Sequence, residues 1–213
     1  MSNTKNPWKI LSEKKVYENK WIGLTEYQVI NPGGGEGIYG KVNFKNIAVG
    51  VLPLDAQFNT YLVGQFRFPL NEYSWEIPEG GGEPQEDPLE SAKRELIEET
   101  GLVAHQWDLI LKMHLSNSVS DEQAVLYLAR GLEQHTAMPE ETEKLVVRRL
   151  PFEEAYRMVE NSLITDSMSV ACILKVKLML EKGDIPIHPS MPDAGGAAGL
   201  ETSTRQTPSG RHH

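Results

Sequence analysis

The chain has 213 residues, 39% of them hydrophobic, enough for one compact domain or for one domain with a small appended sheet. Its 21 basic and 30 acidic residues leave a formal net charge of −9, so a nucleic-acid backbone is repelled on average and an anionic ligand needs a metal ion as mediator. The longest apolar stretches, 47–54 and 171–180, are too short or too broken by lysine to span a bilayer. A lone cysteine, Cys172, rules out an intramolecular disulfide and a cysteine-based zinc cluster, as expected of a reducing compartment. The opening MSNTKNPWK lacks the apolar core of a secretion signal, and a cytoplasmic location is the expectation.

Residues 16–44 alternate apolar and polar side chains, as at Trp21, Leu24, Tyr27 and Val29 and again at Ile38, Val42 and Phe44, around the turn sequence Asn31-Pro32-Gly33-Gly34-Gly35. This pattern predicts an antiparallel hairpin or meander. Residues 46–52 are nearly all apolar and predict a buried strand, followed after a turn by a second strand at 60–67. Over 87–100 the period becomes helical, with Asp87 as N-cap, Pro88 first in the helix, Glu90 closing a capping box and Gly101 as the stop. Strands are expected at 107–115, 124–131 and 145–150, a helix opening at 151–155, and another helix over 167–181. This order of elements predicts a mixed α/β sandwich. Beyond Asp184 the composition turns to Pro, Gly, Ala, Ser and Thr and ends in Arg211-His212-His213, a linker or tag-derived tail expected to carry no chemistry.

Gly80, Glu86, Arg94, Glu95, Leu96, Glu98, Glu99, Gly101 and Leu102 satisfy the pattern G-x5-E-x7-R-E-U-x-E-E-x-G-U, where U is a bulky aliphatic. Ordinary residue frequencies give a full match by chance on the order of one time in a million, so the pattern demands an explanation. On a helical wheel Leu89, Ala92, Leu96 and Ile97 share the arc expected to face a sheet, and Glu95, Glu98 and Glu99 share the adjacent arc. Like charges at such spacing cost roughly 0.2–0.5 kcal/mol per pair even when exposed, and divalent cations reverse the sign. Hard oxygen donors at this density suit Mg²⁺ or Mn²⁺ rather than a soft metal. A solvated acidic face is the alternative for such a run taken alone; the glycine-rich entry and the capped helix favour the metal. Gly80-Gly81-Gly82 is read as a tight turn that exposes a carbonyl, such as that of Glu79, as a further ligand. No lysine and hydroxyl follow these glycines as in a phosphate-binding loop. Among His105, His114, His135 and His188 no pair has metal-ligand spacing, and Cys172, Met158, Met168 and Met179 read as packing residues.

The nine-position pattern is that of the Nudix hydrolases, which this segment resembles at every specified position. The resemblance implies an α/β Nudix fold, a mixed-sheet α/β/α sandwich, and divalent-metal-dependent cleavage of nucleoside diphosphates linked to another group. It implies that Glu95, Glu98 and Glu99 hold the ions, and that Arg94 pairs with Glu86 to fix the loop on the helix, with Gly80 and Gly101 in structural roles. A surface ion pair is an equally compatible reading of Arg94. Gln65-Phe66-Arg67, Trp75-Glu76-Ile77-Pro78-Glu79-Gly80 and Ser118-Val119-Ser120-Asp121-Glu122 resemble the ADP-ribose pyrophosphatase and nucleoside diphosphate sugar hydrolase branch. An N-terminal antiparallel sheet is also characteristic of that branch, where it builds an intertwined homodimer.

By that resemblance the chain divides into an N-terminal sheet at 1–45 that serves dimerisation and substrate contacts, a catalytic domain at 46–185, and the tail at 186–213. Arg67 contacts the substrate phosphates or terminal ribose, and Glu122 the substrate or metal. The run Pro139-Glu140-Glu141-Thr142-Glu143 takes the place of the catalytic loop, with Glu141 as general base and Glu140 and Glu143 as alternates. Trp21 either stacks on the nucleobase from the neighbouring subunit or packs in the core or a subunit interface. The run Leu115-Ser116-Asn117-Ser118-Val119-Ser120 departs from the proline-containing loop of many ADP-ribose hydrolases, which leaves room for GDP-mannose or a wider range of sugars. The expected activity is Mg²⁺-dependent hydrolysis of a nucleoside diphosphate sugar to a nucleoside monophosphate and a sugar phosphate. Its rivals are a non-catalytic sugar-nucleotide-binding regulator and a hydrolase of nucleoside triphosphates or dinucleoside polyphosphates.

Overall fold

The computed structural model describes residues 5–136 and 145–185. Its first three strands, β1 (Lys9–Glu18), β2 (Ile22–Ile30) and β3 (Glu36–Phe44), form the expected antiparallel meander in the order β1-β2-β3. The β2–β3 turn closes on Asn31, whose Oδ1 accepts from the amides of Gly33 and Gly35 at 2.9 and 3.2 Å. Strand β1 begins earlier than the alternation suggested, and all ten of its residues are exposed. A strand with no buried face carries no period-2 signal.

The body of the molecule contains β4 (Ile47–Pro53), β5 (Asn59–Arg67), β6 (Glu72–Glu76), β7 (Glu79–Gly82), α1 (Pro88–Thr100), β8 (Leu102–His114), β9 (Gln123–Gln134), β10 (Val146–Pro151), α2 (Phe152–Glu160) and α3 (Ser167–Lys182). One sheet has the order β7-β4-β9-β8, parallel only between β4 and β9; a second has the order β10-β5-β6. The continuous apolar run of β4 is explained by burial on both faces. Val49 and Val51 pack with Val125 and Tyr127 against Ala92 and Leu96 of α1. Leu52, with Leu126 and Leu128, faces the opposite core, where Phe152 of α2 and Met168, Cys172, Ile173 and Val176 of α3 lie. This is the mixed α/β/α sandwich that the sequence predicted.

Strands β6 and β7 were not predicted, and β7 corrects a specific expectation. Gly80-Gly81-Gly82 is extended strand rather than a tight turn, paired antiparallel with β4 at Ile47↔Gly82, Ala48↔Gly81 and Val49↔Gly80. Glycine is required here because α1 lies directly on the strand. A Cβ at Gly80 would stand 2.3 Å from Glu95 Cδ, and one at Gly82 would stand 2.6 Å from Ser91 Oγ.

The meander is fastened to the body through the segment between β8 and β9. The Val42 amide donates to the Val119 carbonyl at 2.8 Å, and the Asp121 amide donates to the Val42 carbonyl at 3.2 Å. Asp121 Oδ1 accepts from the Phe44 amide at 2.9 Å, its Oδ2 pairs with Lys41 at 2.7 Å, and the Tyr39 hydroxyl donates to the Ser118 carbonyl. Among the described residues no helix is long and apolar enough to cross a membrane.

The close approach at Gly82 makes a stability prediction. Gly82→Ala forces its methyl against the buried Ser91 and is expected to cost about 1–3 kcal/mol, read from urea unfolding monitored by circular dichroism. An unchanged midpoint would mean that α1 slides off the strand at no cost.

Candidate active site

Helix α1 begins and ends as its residues dictate. Asp87 accepts the Leu89 amide at 2.9 Å, Pro88 opens the helix, and Gly101 closes it at φ 71°, its amide donating to the Ile97 carbonyl. The expected capping box is replaced by a surface pair: Glu90 Oε1 accepts from Lys93 Nζ at 2.7 Å.

Arg94 does not pair with Glu86 as expected. Its Nη1 donates to Glu95 Oε1 at 2.8 Å and to Glu98 Oε2 at 3.0 Å, and its Nη2 donates to the Gly81 carbonyl at 3.0 Å. Glu86 instead accepts from the Ser91 hydroxyl at 2.6 Å. One guanidinium thus neutralises two helix carboxylates and ties the helix to β7. Burial opposes the charge on Arg94, but Glu95 and Glu98 outweigh it and raise its pKa. Glu99, buried behind them, accepts the Glu79 amide at 3.0 Å. Among the described residues no three His, Cys, Asp or Glu side chains stand where they could hold a metal ion together.

Glu95, Glu98 and Arg94 line a cleft of about 830 Å³ with Glu79, Glu83 and Trp21. Trp21 sits in the β1–β2 turn, where Asn19 Oδ1 accepts its amide at 2.9 Å, and the Lys20 ammonium lies 4.2 Å from its ring centroid. The tryptophan is exposed and faces the cleft of its own chain.

A second cavity of about 590 Å³ adjoins the first, sharing Trp21, Asn46 and Glu79 with it, and also takes in Arg67, Glu122 and Asp166. Arg67, at the end of β5, is half-buried and held by carboxylates. Its Nε and Nη2 donate to both oxygens of the buried Glu76, the shortest contact being 2.6 Å, and Nη2 also donates to Glu79 Oε1 at 2.9 Å. Burial opposes its charge as well, and Glu76 and Glu79 outweigh it. Glu79 Oε2 is buried, and the Asp166 carboxyl beside it is a hydrogen-bond partner only when one of the two acids carries a proton. Burial first, then Asp166 and Glu76, push the Glu79 carboxyl well above the usual carboxylate range. Burial also raises Glu122.

The structure thus brings Trp21, Arg67, Glu79, Glu122, Glu95 and Glu98 to two adjoining cavities, while Glu99 is buried and lines neither. Glu140, Glu141 and Glu143 lie outside the described residues. Sequence reading missed Glu76, Asn46 and Asp166 as site residues. Glu76 sits inside the quoted Trp75-Glu76-Ile77 run and had a local signal; Asp166, the N-cap of α3, reaches the cavity only through the tertiary fold.

The mixed sandwich and its acidic helix, together with the family model that matches them, place the chain among the pyrophosphohydrolases. The NUDIX domain model matches residues 44–166, and the model of the nucleoside diphosphate sugar hydrolase N-terminal domain matches 8–42. The chain belongs to the Nudix family. It is 32% identical to an ADP-ribose pyrophosphatase of Mycobacterium tuberculosis over 78% of this chain and 81% of that one. It is 33% identical to a methanol dehydrogenase activator of Bacillus methanolicus over 62% of this chain and 72% of that one. Its fold superposes on the crystal structure of an ADP compounds hydrolase with a TM-score of 0.75 at 19% identity, covering 86% of this chain and all of that one.

The buried Glu79 carboxyl has a measurable signature. An acid whose folded pKa lies above its unfolded value loses stability as pH rises from the ordinary glutamate range through the folded value. In chelator, Glu79→Gln is expected to melt higher than the parent at about pH 8 and to converge with it near pH 4, below the unfolded glutamate value. A variant that melts lower than the parent at alkaline pH would show that Glu79 is stabilising as a carboxylate.

Proposed function

We propose that this Nudix enzyme hydrolyses the pyrophosphate bond of a nucleoside diphosphate sugar, ADP-ribose among its substrates, giving a nucleoside monophosphate and a sugar phosphate. The observation that carries this reading is the pair of adjoining cavities, with the acidic helix in one, Arg67 and Glu122 in the other, and Trp21 and Glu79 lining both. A substrate with two halves joined through an anhydride suits such a site better than a compact triphosphate. The relative from Mycobacterium tuberculosis, named for ADP-ribose, supports the choice of sugar nucleotide.

By the chemistry of its donors the site suits a hard divalent ion, while in the arrangement seen Arg94 occupies Glu95 and Glu98 and the carboxylates are not gathered into a metal cluster. Glu95, Glu98, Glu99 and the Glu79 carbonyl supply only oxygen, and Arg94 already supplies part of the countercharge that crowded carboxylates require. Glu95, Glu98 and Glu99 would hold Mg²⁺, with Mn²⁺ as the alternative. A bound ion there supplies positive charge against the pyrophosphate. Trp21 offers a face to the nucleobase, and Arg67, engaged by Glu76 and Glu79, serves the terminal sugar rather than the phosphates. Glu141 takes the proton from the attacking water, with Glu140 and Glu143 as alternates. The exposed meander, with Ile10, Leu11, Val16 and Tyr17 facing outward, serves a homodimer interface, and the enzyme works in the cytoplasm.

Two variants separate metal binding from proton transfer. Glu99→Gln keeps an oxygen for the Glu79 amide, so the fold should survive while turnover of ADP-ribose falls by about 10²–10⁴-fold. Glu141→Gln should lower turnover comparably without weakening Mg²⁺ dependence. Full activity in Glu99→Gln refutes the ligand assignment; full activity in Glu141→Gln moves the base to Glu140 or Glu143. Cleavage in ¹⁸O-labelled water, with mass analysis of both products, identifies the phosphorus attacked.

A further inference from the structure

We propose that Asp121 is a positioning residue for the reaction: it fixes Glu122 against the second cavity by tying the segment between β8 and β9 to the outer edge of β3, so that the N-terminal meander shapes the site of its own chain. This rests on the reading of Glu122 as a substrate or metal contact in a sugar nucleotide hydrolase.

Glu122 stands where a connection meets a sheet. On its C-terminal side β9 begins at once, with Gln123 paired to His114. On its N-terminal side residues 116–119 are exposed, and Ser116 sits at φ 46°, outside the strand region. The connection closes on itself at its base: the Leu115 amide donates to the Glu122 carbonyl at 3.0 Å, and the Ser120 hydroxyl donates to the Leu115 carbonyl at 2.8 Å. One flank of Glu122 is therefore fixed by the sheet, and the direction from which the chain arrives is set at Asp121.

Strand β3 sits at one side of the meander, and its outer edge offers backbone groups that an added strand can use. Residues 119–121 take them. Val42 faces Ser120 in a parallel bridge, its amide donates to the Val119 carbonyl at 2.8 Å, and its carbonyl accepts the Asp121 amide at 3.2 Å. Asp121 extends the pairing with its side chain, accepting the Phe44 amide through Oδ1 at 2.9 Å and meeting Lys41 Nζ with Oδ2 at 2.7 Å. Its amide and both carboxylate oxygens are thus engaged by β3, directly before the residue that lines the cavity. Burial opposes its charge, but Lys41 and the Phe44 amide outweigh it and lower its pKa. The Lys41 pair, 36% and 39% exposed, counts for little by itself; the bonds to backbone aim the chain. The same end of the meander steadies Trp21, whose carbonyl accepts the Lys45 amide at 2.9 Å, so two residues of the cavity wall depend on it.

The test is a double-mutant cycle on kcat/KM for ADP-ribose in Mg²⁺, using the full-length protein and checking the folding of each variant by thermal unfolding. Asp121→Ala removes the acceptor for the Phe44 amide and should lower kcat/KM by about tenfold or more, the scale on which a small displacement of a contact acts. Asp121→Asn, which keeps that acceptor, should recover most of the loss. Asp121→Ser, whose hydroxyl stops one bond short, replaces the alanine variant if that one does not fold. Because Asp121 acts through Glu122, Glu122→Gln alone should lower kcat/KM, and adding Asp121→Ala to it should cost no more than about twofold further. A merely structural role multiplies the two losses instead. Multiplied losses, parental activity in Asp121→Ala, or parental activity in Glu122→Gln overturns the proposal while the parent remains an active hydrolase. A parent that cleaves no nucleoside diphosphate sugar overturns the hydrolase reading and takes this proposal with it.

Discussion

The close contact between α1 and β7 is the constraint on which the site depends. Gly80 and Gly82 let an acidic helix lie on a strand so tightly that the Glu95 carboxyl covers the place where a Gly80 side chain would be. The same contact brings Arg94 Nη2 to the Gly81 carbonyl. Backbone proximity therefore comes first, and the placement of the charged groups follows from it. Widening the gap by one methyl would displace carboxylate, guanidinium and strand together.

Charge in the two cavities is arranged by one repeated device. Arg94 serves Glu95 and Glu98, and Arg67 serves Glu76 and Glu79, so each guanidinium holds two carboxylates. The planar fork of arginine makes this possible, where a lysine would offer a single point of charge. The result is a site rigid enough to keep several acids together and still negative overall. A protein with a net charge of −9 that binds a pyrophosphate through such a site needs added positive charge at the helix, in keeping with the divalent metals of its family.

What was legible in the sequence was local. The helix caps at Asp87 and Gly101 and the acidic arc of Glu95, Glu98 and Glu99 follow from spacing, and the two-sided burial of β4 follows from its unbroken apolar run. The Arg94 partners illustrate where a borrowed expectation yielded to helix geometry. Glu98 is four residues on and one turn away, the spacing that brings side chains together, whereas Glu86 lies eight residues back, before the helix begins. The triple glycine was misread because glycine signals a turn and a close approach equally well, and only the packed helix decides between them. The cluster of Arg67, Glu76, Glu79 and Asp166 had no sequence signal as a unit. Its members come from β5, β6, β7 and the cap of α3, and the sheet and helix must assemble before they meet.

Glu79 is where these parts become one mechanism. Its amide donates to Glu99 on the acidic helix, and its side chain accepts from Arg67 in the second cavity. A single residue thus couples the wall beside the proposed ions to the wall beside the proposed sugar. A carboxyl kept this deeply buried, against its own ionisation and beside two other acids, is poor design for stability alone. Such a feature is expected where binding uses what folding alone would discard.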